Sequence, residues 1–277
     1  MNIIECGVPN SKTKAIEAGQ MTNANVSARG RYPWMAYLLT DQGNGQGFVC
    51  GSAIINDRWI LTAAHCIDGS NPENLNVHVN IFDTKMDKNK PIPVSDVIMN
   101  PAYQKANTGH PRSDLGLIRL KEPLKFGGKS PIAPICLMDI KDFKDDYGDL
   151  YLTGWGKVLT KDGRGLENTN ILHEGAMKQI DFDTCKKTYR GVDPKEQICG
   201  GDAPGDNVIS SASQSGDSGS PLSVIKNGKF YQVGLTSYGL ADDKQAIKKA
   251  IGVFERTNGK KNWNWIKKTV KDGKWCE

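Results

Sequence analysis

The sequence predicts an all-β fold that ends in one α-helix. Three observations carry this: short runs in which apolar and polar residues alternate, the 30 glycines and 13 prolines that punctuate them, and helical spacing confined to the last stretch. In chain order, Leu38-Leu39 and Phe48-Val49 flank the glycine-rich Asp41–Gly47 as a hairpin. Leu75, Val77, Val79 and Ile81 alternate with Asn76, His78 and Asn80 as a half-buried strand. Leu222 to Ile225 and Phe230 to Leu235 flank Asn227-Gly228, a dipeptide that accepts the positive φ of a tight hairpin turn. Trp263, Ile266 and Val270 then fall at helical spacing, with Lys267 and Lys268 toward the carboxyl end, where the helix dipole favours them. No repeat at the periods of about 20 to 50 residues typical of solenoids and propellers occurs.

Bulk properties narrow the functional classes. A chain of 277 residues with 38% hydrophobic and 24% charged residues is globular. The net charge of +5 comes from scattered lysines rather than a basic stripe interleaved with aromatics, so no nucleic-acid partner is expected. No apolar run of about 18 residues is present, so no membrane span is expected. The opening Met1-Asn2-Ile3-Ile4-Glu5-Cys6 lacks the apolar stretch of a signal peptide. The seven cysteines contain no C-x-x-C pair and no zinc spacing, which favours disulfides and leaves an odd thiol. No metal and no cofactor are expected, since no carboxylate-dense calcium loop occurs and the glycine-rich segments lack the context of a phosphate loop.

Three motifs bear on chemistry. In Gly216-Asp217-Ser218-Gly219-Ser220-Pro221 a serine sits between glycines that allow a tight turn, so that the Gly216 and Ser218 amides can face an oxyanion. In Leu61-Thr62-Ala63-Ala64-His65-Cys66 stands a histidine, the side chain able to take and return a proton near neutrality. In Ser113-Asp114-Leu115-Gly116 an aspartate heads an apolar run and is placed to orient that imidazole. Each motif alone fits a structural role. Together they form a nucleophile, a base and an orienting acid in the chain order His65, Asp114, Ser218, unlike the orders in subtilisin and the α/β-hydrolases.

With these motifs the chain resembles the trypsin and chymotrypsin family of serine proteases. The likeness extends to Tyr32-Pro33-Trp34-Met35-Ala36, Thr153-Gly154-Trp155-Gly156, Ile198-Cys199-Gly200-Gly201, Thr236-Ser237-Tyr238-Gly239 and Gly252-Val253-Phe254. The resemblance implies two antiparallel six-stranded β-barrels, about 21–140 and 141–261, with the active site between them and a helix at about 262–272. It implies that Ser237 supports Asp114 and that Ser237, Tyr238 and Gly239 pair with a peptide substrate as an added strand. It implies the disulfides Cys50–Cys66, Cys185–Cys199 and Cys6–Cys136, and with them a secreted protein. Cys276 is left as a free thiol, a competitor for Cys136 or a link between chains.

The same resemblance marks departures. Family members are activated by cleavage that creates a new amino terminus, which pairs with the acid before the serine, here Asp217. That terminus falls at Met21, or with five extra residues at Ile16, and neither follows a basic residue directly; residues 1–20 are then a pro-segment tethered by Cys6. The specificity position is Ala212, beside Ser213 and before Gln214, with Gly239 and Gly252 on the walls. An open apolar pocket is expected, with Asp242 and Asp243 in a loop that can reach it. The implied partners are protein or peptide substrates, an activating protease and protein inhibitors, on a monomer. The alternative is a catalytically silent homologue that binds or regulates. His78 and His173, the latter beside Glu174, read as solvated, and His110 as a loop residue at the cleft rim. Asn25-Val26-Ser27 is a glycosylation sequon.

Overall fold

A computed structural model describes residues 5–10, 25–41, 47–105, 110–160, 166–201, 215–239 and 251–275. After a short β1 (Asn25–Val26) come β2 (Met35–Asp41), β3 (Gly47–Ile54), β4 (Trp59–Thr62), β5 (Leu75–Val79), β6 (Val94–Met99) and β7 (Gly116–Leu120). These six strands form one antiparallel sheet in the order β5-β2-β3-β4-β7-β6. The sheet curls until β5 meets the chain just before β6 through the bridge Val77 to Ile92. Alternation explains the curl's filling: Leu75, Val77 and Val79 are buried while Asn76 and His78 stay half-exposed. Leu38, Ile60, Leu61, Leu117 and Ile118 complete the interior.

The second sheet uses β8 (Cys136–Leu137), β9 (Asp149–Gly154), β12 (His173–Gln179), β13 (Gln197–Gly201), β14 (Pro221–Lys226), β15 (Lys229–Tyr238) and β16 (Ile251–Arg256), while β10 (Val158–Leu159) and β11 (Leu166–Glu167) pair separately. Its order β12-β13-β16-β15-β14-β9 is closed into a ring by β9 pairing with β12, from His173↔Gly154 to Lys178↔Asp149. Closure removes the open edges that invite aggregation. Between β14 and β15, Asn227 and Gly228 take φ of 53° and 76°, the two positive values of a type I′ hairpin. The β2–β3 hairpin also forms, with Leu39 opposite Val49.

Two helical details depart from the sequence reading. An α-helix at Phe182–Thr188 (α1) was not legible as such; Asp181 caps it by accepting from the Thr184 amide at 2.8 Å. The terminal helix α2 spans Lys260–Thr269 rather than 262–272. It starts early because Glu196, from the neighbouring chain segment, accepts from the Lys261 amide at 3.2 Å and serves as its cap. It stops early because Asp272 leaves the helix to accept from Trp59 Nε1 at 2.8 Å and Arg119 Nη2 at 2.6 Å.

Disulfides join Cys6 to Cys136, Cys50 to Cys66 and Cys185 to Cys199. The first anchors the amino-terminal segment, where Gly7 donates to Pro134 O and accepts from the Phe230 amide. Gly7 has φ +67°, and a Cβ there would overlap Phe230 O, so only glycine fits. Glu174, the neighbour of His173, is buried: Tyr32 donates its hydroxyl to the carboxylate, and Arg31 Nε lies 3.0 Å from it. His173 is likewise half-buried, its Nδ1 2.8 Å from Ile171 O.

Candidate active site

The end of β4 delivers a short 3-10 turn, Ala64–Cys66, and the Cys50–Cys66 bridge fastens that turn to β3. His65 thus projects from a rigid frame. Asp114 precedes β7, follows Ser113 at φ 51° and is fully buried. Its Oδ1 accepts from the His65 backbone amide at 2.9 Å, and its Oδ2 lies 2.7 Å from His65 Nδ1. Ser237 donates to the same Oδ2 at 2.5 Å. Three donors therefore fix one carboxylate at the Nδ1 edge of the imidazole. Burial pulls the His65 pKa down, but the hydrogen bond and charge of Asp114, joined by the charge of Asp68, lift it above the ordinary value.

Ser218 stands in a turn clamped on both sides. Gly51 donates to Ser218 O at 2.8 Å from the first sheet, and Gly219 donates to Thr236 O at 2.8 Å in the second. Gly51 must lack a side chain, because a Cβ would overlap Ser220 Oγ. Gly216 has φ +103°, and a Cβ there would lie 3.0 Å from Gly156 Cα. Among the described residues neither the Gly216 nor the Ser218 amide donates to a protein acceptor.

Ser218 and His65 line one cleft of about 560 Å³ together with Phe48, Asp68, Tyr103 and Lys157. Among the described residues Ser218 Oγ forms no hydrogen bond with His65 Nε2, a separation common for such pairs until substrate engages. Asp68, Tyr103 and Lys157 carried no motif and were not singled out from sequence. Tyr103 is pushed up to about 12 by burial and by the charges of Asp114 and Asp68.

The remaining residues divide into those placed and those outside the described residues. Asp217 is buried and accepts from the Gly156 amide at 2.9 Å, in space that Gly154 and Gly156 leave free. Ser237 and Tyr238 end β15 with Gly239 directly after, and Gly252 lies in β16 opposite Gly200. His110 stacks flat on Tyr238, with ring centres 4.4 Å apart. Ile16, Met21, Ala212, Ser213, Gln214, Asp242, Asp243 and Cys276 lie outside the described residues. His65 clusters with Cys50 and Cys66, but both sulfurs are consumed by their bridge and offer no thiolate to a metal. No helix among the described residues is long and apolar enough to cross a membrane.

A histidine gripped by a buried aspartate shares one cleft with a serine on a glycine-flanked turn between the two β-sheets. The comparison with known families agrees: the profile described as Trypsin matches residues 21–266. The chain belongs to the trypsin/chymotrypsin-like family of serine proteases.

Proposed function

We propose that the chain is a secreted serine endopeptidase that works through an acyl-enzyme. Ser218 Oγ attacks the peptide carbonyl while His65 takes its proton and Asp114 holds the imidazole in the needed tautomer. The oxyanion forms against the Gly216 and Ser218 amides, His65 passes the proton to the leaving amine, and water releases the acyl group. The observation that carries this reading is the 2.7 Å contact of His65 Nδ1 with the buried Asp114, opposite an open Ser218 in the same cleft.

Finer features belong to the same proposal. Residues 1–20 act as a pro-segment held by Cys6 to the protease domain of residues 21–277, and cleavage frees Met21, or alternatively Ile16, to pair with Asp217. The pocket at Ala212 and Ser213, walled by Gly239 and Gly252, takes an apolar side chain. Three disulfides suit an extracellular setting. A second reading, a zymogen-like homologue that binds without cutting, draws on Gln20 and Ala15, which precede the two candidate termini where a basic residue is usual.

Labelling with a fluorophosphonate probe before and after limited proteolysis, with amino-terminal sequencing, separates the two. Modification of Ser218 that vanishes in Ser218→Ala supports the enzyme. A chain that stays unlabelled after every protease tried, yet remains folded, supports the binding protein.

A further inference from the structure

A second buried carboxyl, in none of the motifs, is tied to the Asp114 segment: Asn262, which holds it, also lies 3.4 Å from Asn100 Nδ2, and the Asn100 amide donates to Leu115 O. Glu255, in β16, is as fully buried as Asp114. Gln197 Nε2 in β13 donates to its Oε1 at 2.9 Å, and Asn262 Nδ2 in α2 lies 3.4 Å from its Oε2. Asn262 is in turn seated by donating to Arg256 O at 2.9 Å. Among the described residues neither Glu255 nor Asp114 forms an ion pair with lysine or arginine. The adjacent Arg256 turns its guanidinium to the carbonyls of Pro194, Gln197, Lys144 and Asp145 instead.

A carboxyl in a water-poor interior with no cation beside it is driven toward its protonated form. Asp114 accepts three hydrogen bonds, one of them from a cationic partner when His65 is protonated. Burial and then the Asp114 charge push Glu255 up to about 8, against smaller opposing pulls from Gln197, the Asp114 backbone amide and Asn262. The titratable groups that bear on Glu255 are Asp114 from the turn before β7, His65 through it, and Tyr238 from β15. Gln197 and Asn262 face it from β13 and α2 with neutral amides.

We propose that Glu255 is a positioning residue for the His65–Asp114 pair, an inference that rests on the proposed activity of that site. Its neutral acid form packs under the Asp114 turn and leaves Asp114 the single negative charge beneath the imidazole. Its ionisation adds a second charge, favours the imidazolium and so changes the base that Ser218 meets.

The test is Glu255→Gln in the full chain with its disulfides formed, followed through the ¹⁵N signals of the His65 imidazole from about pH 5 to 10 beside the wild type. Wild type should show the main histidine step and a second inflection near pH 8. In Glu255→Gln the main step should move by less than about 0.3 of a pH unit, because the carboxyl it replaces is neutral there, and the second inflection should vanish. Superimposable curves would overturn the proposal. So would a fall of about a full pH unit in the main step, since Glu255 would then be charged throughout. If Glu255→Gln fails to fold, the wild type decides alone, since a single-step curve sinks the idea. The imidazole signal needs no turnover, so a catalytically silent chain would count against the proposed activity and not against Glu255. In an active chain, kcat/KM should lose the same alkaline inflection in Glu255→Gln, with KM within about twofold of wild type.

Discussion

Glu255 also makes fold stability depend on pH with a definite sign. In the folded chain its carboxyl keeps the proton up to about 8, whereas an exposed glutamate releases it near 4.5. Between those values the unfolded chain binds fewer protons than the folded one, so stability falls as pH rises through that window. At about 1.4 kcal/mol per pH unit, the part of the window between pH 5 and pH 8.5 amounts to roughly 4 kcal/mol. Glu255→Gln removes the titration and keeps an acceptor for Gln197, so its stability relative to wild type should climb by that amount between the two pH values. Urea unfolding with intact disulfides at pH 5, 7 and 8.5 measures the difference, read from midpoints at equal slope. A difference that is flat with pH within about 0.5 kcal/mol would refute the reasoning, because it would mean that Glu255 ionises in the folded chain much as it does in the unfolded one.

Ser237→Ala should lower kcat/KM by roughly 10- to 100-fold on a peptide substrate with the fold preserved, because a hydrogen bond to the buried Asp114 charge is lost. Gly216→Ala, which forces a side chain onto φ +103° and toward Gly156 Cα, should cut kcat by about 100-fold or more with a smaller change in KM, as measured by steady-state kinetics. Asp68→Asn should shift the acid limb of kcat/KM to lower pH by a few tenths of a unit, roughly, since the Asp68 charge raises the His65 pKa. Replacing Cys6 and Cys136 together by serine should destabilise by about 2 to 5 kcal/mol in denaturant, since that bridge closes the longest loop, a separation of 130 residues.

The chemistry-bearing motifs were legible because each is local. A serine between glycines, a histidine before a cysteine and an aspartate opening an apolar run are short strings whose residue types the reaction requires. The strand at Leu75–Val79 and the Asn227-Gly228 turn were legible for the same reason, since side-chain alternation and positive φ are properties of neighbouring residues. Where control passes to distant residues, the sequence alone misleads. The bounds of α2 are set by Glu196 at one end and by Trp59 and Arg119 at the other, contacts that helical periodicity cannot contain. His173 reads as solvated, yet it is half-buried with its Nδ1 2.8 Å from Ile171 O, beside a Glu174 that Arg31 and Tyr32 from far along the chain hold inside.

By itself, then, the sequence determined the all-β class and brought out His65, Asp114 and Ser218 as candidates, with glycines around the serine turn. Tertiary structure supplied the geometry of the expected pairs: His65 Nδ1 lies 2.7 Å from Asp114, and Ser237 donates to the same acid at 2.5 Å. It also decided that Glu255, next to last in β16, would be fully buried and form no ion pair with lysine or arginine among the described residues. Burial and partner distance are properties of the packed interior, and these set the charge state of a carboxyl far more than its own neighbours in the chain do.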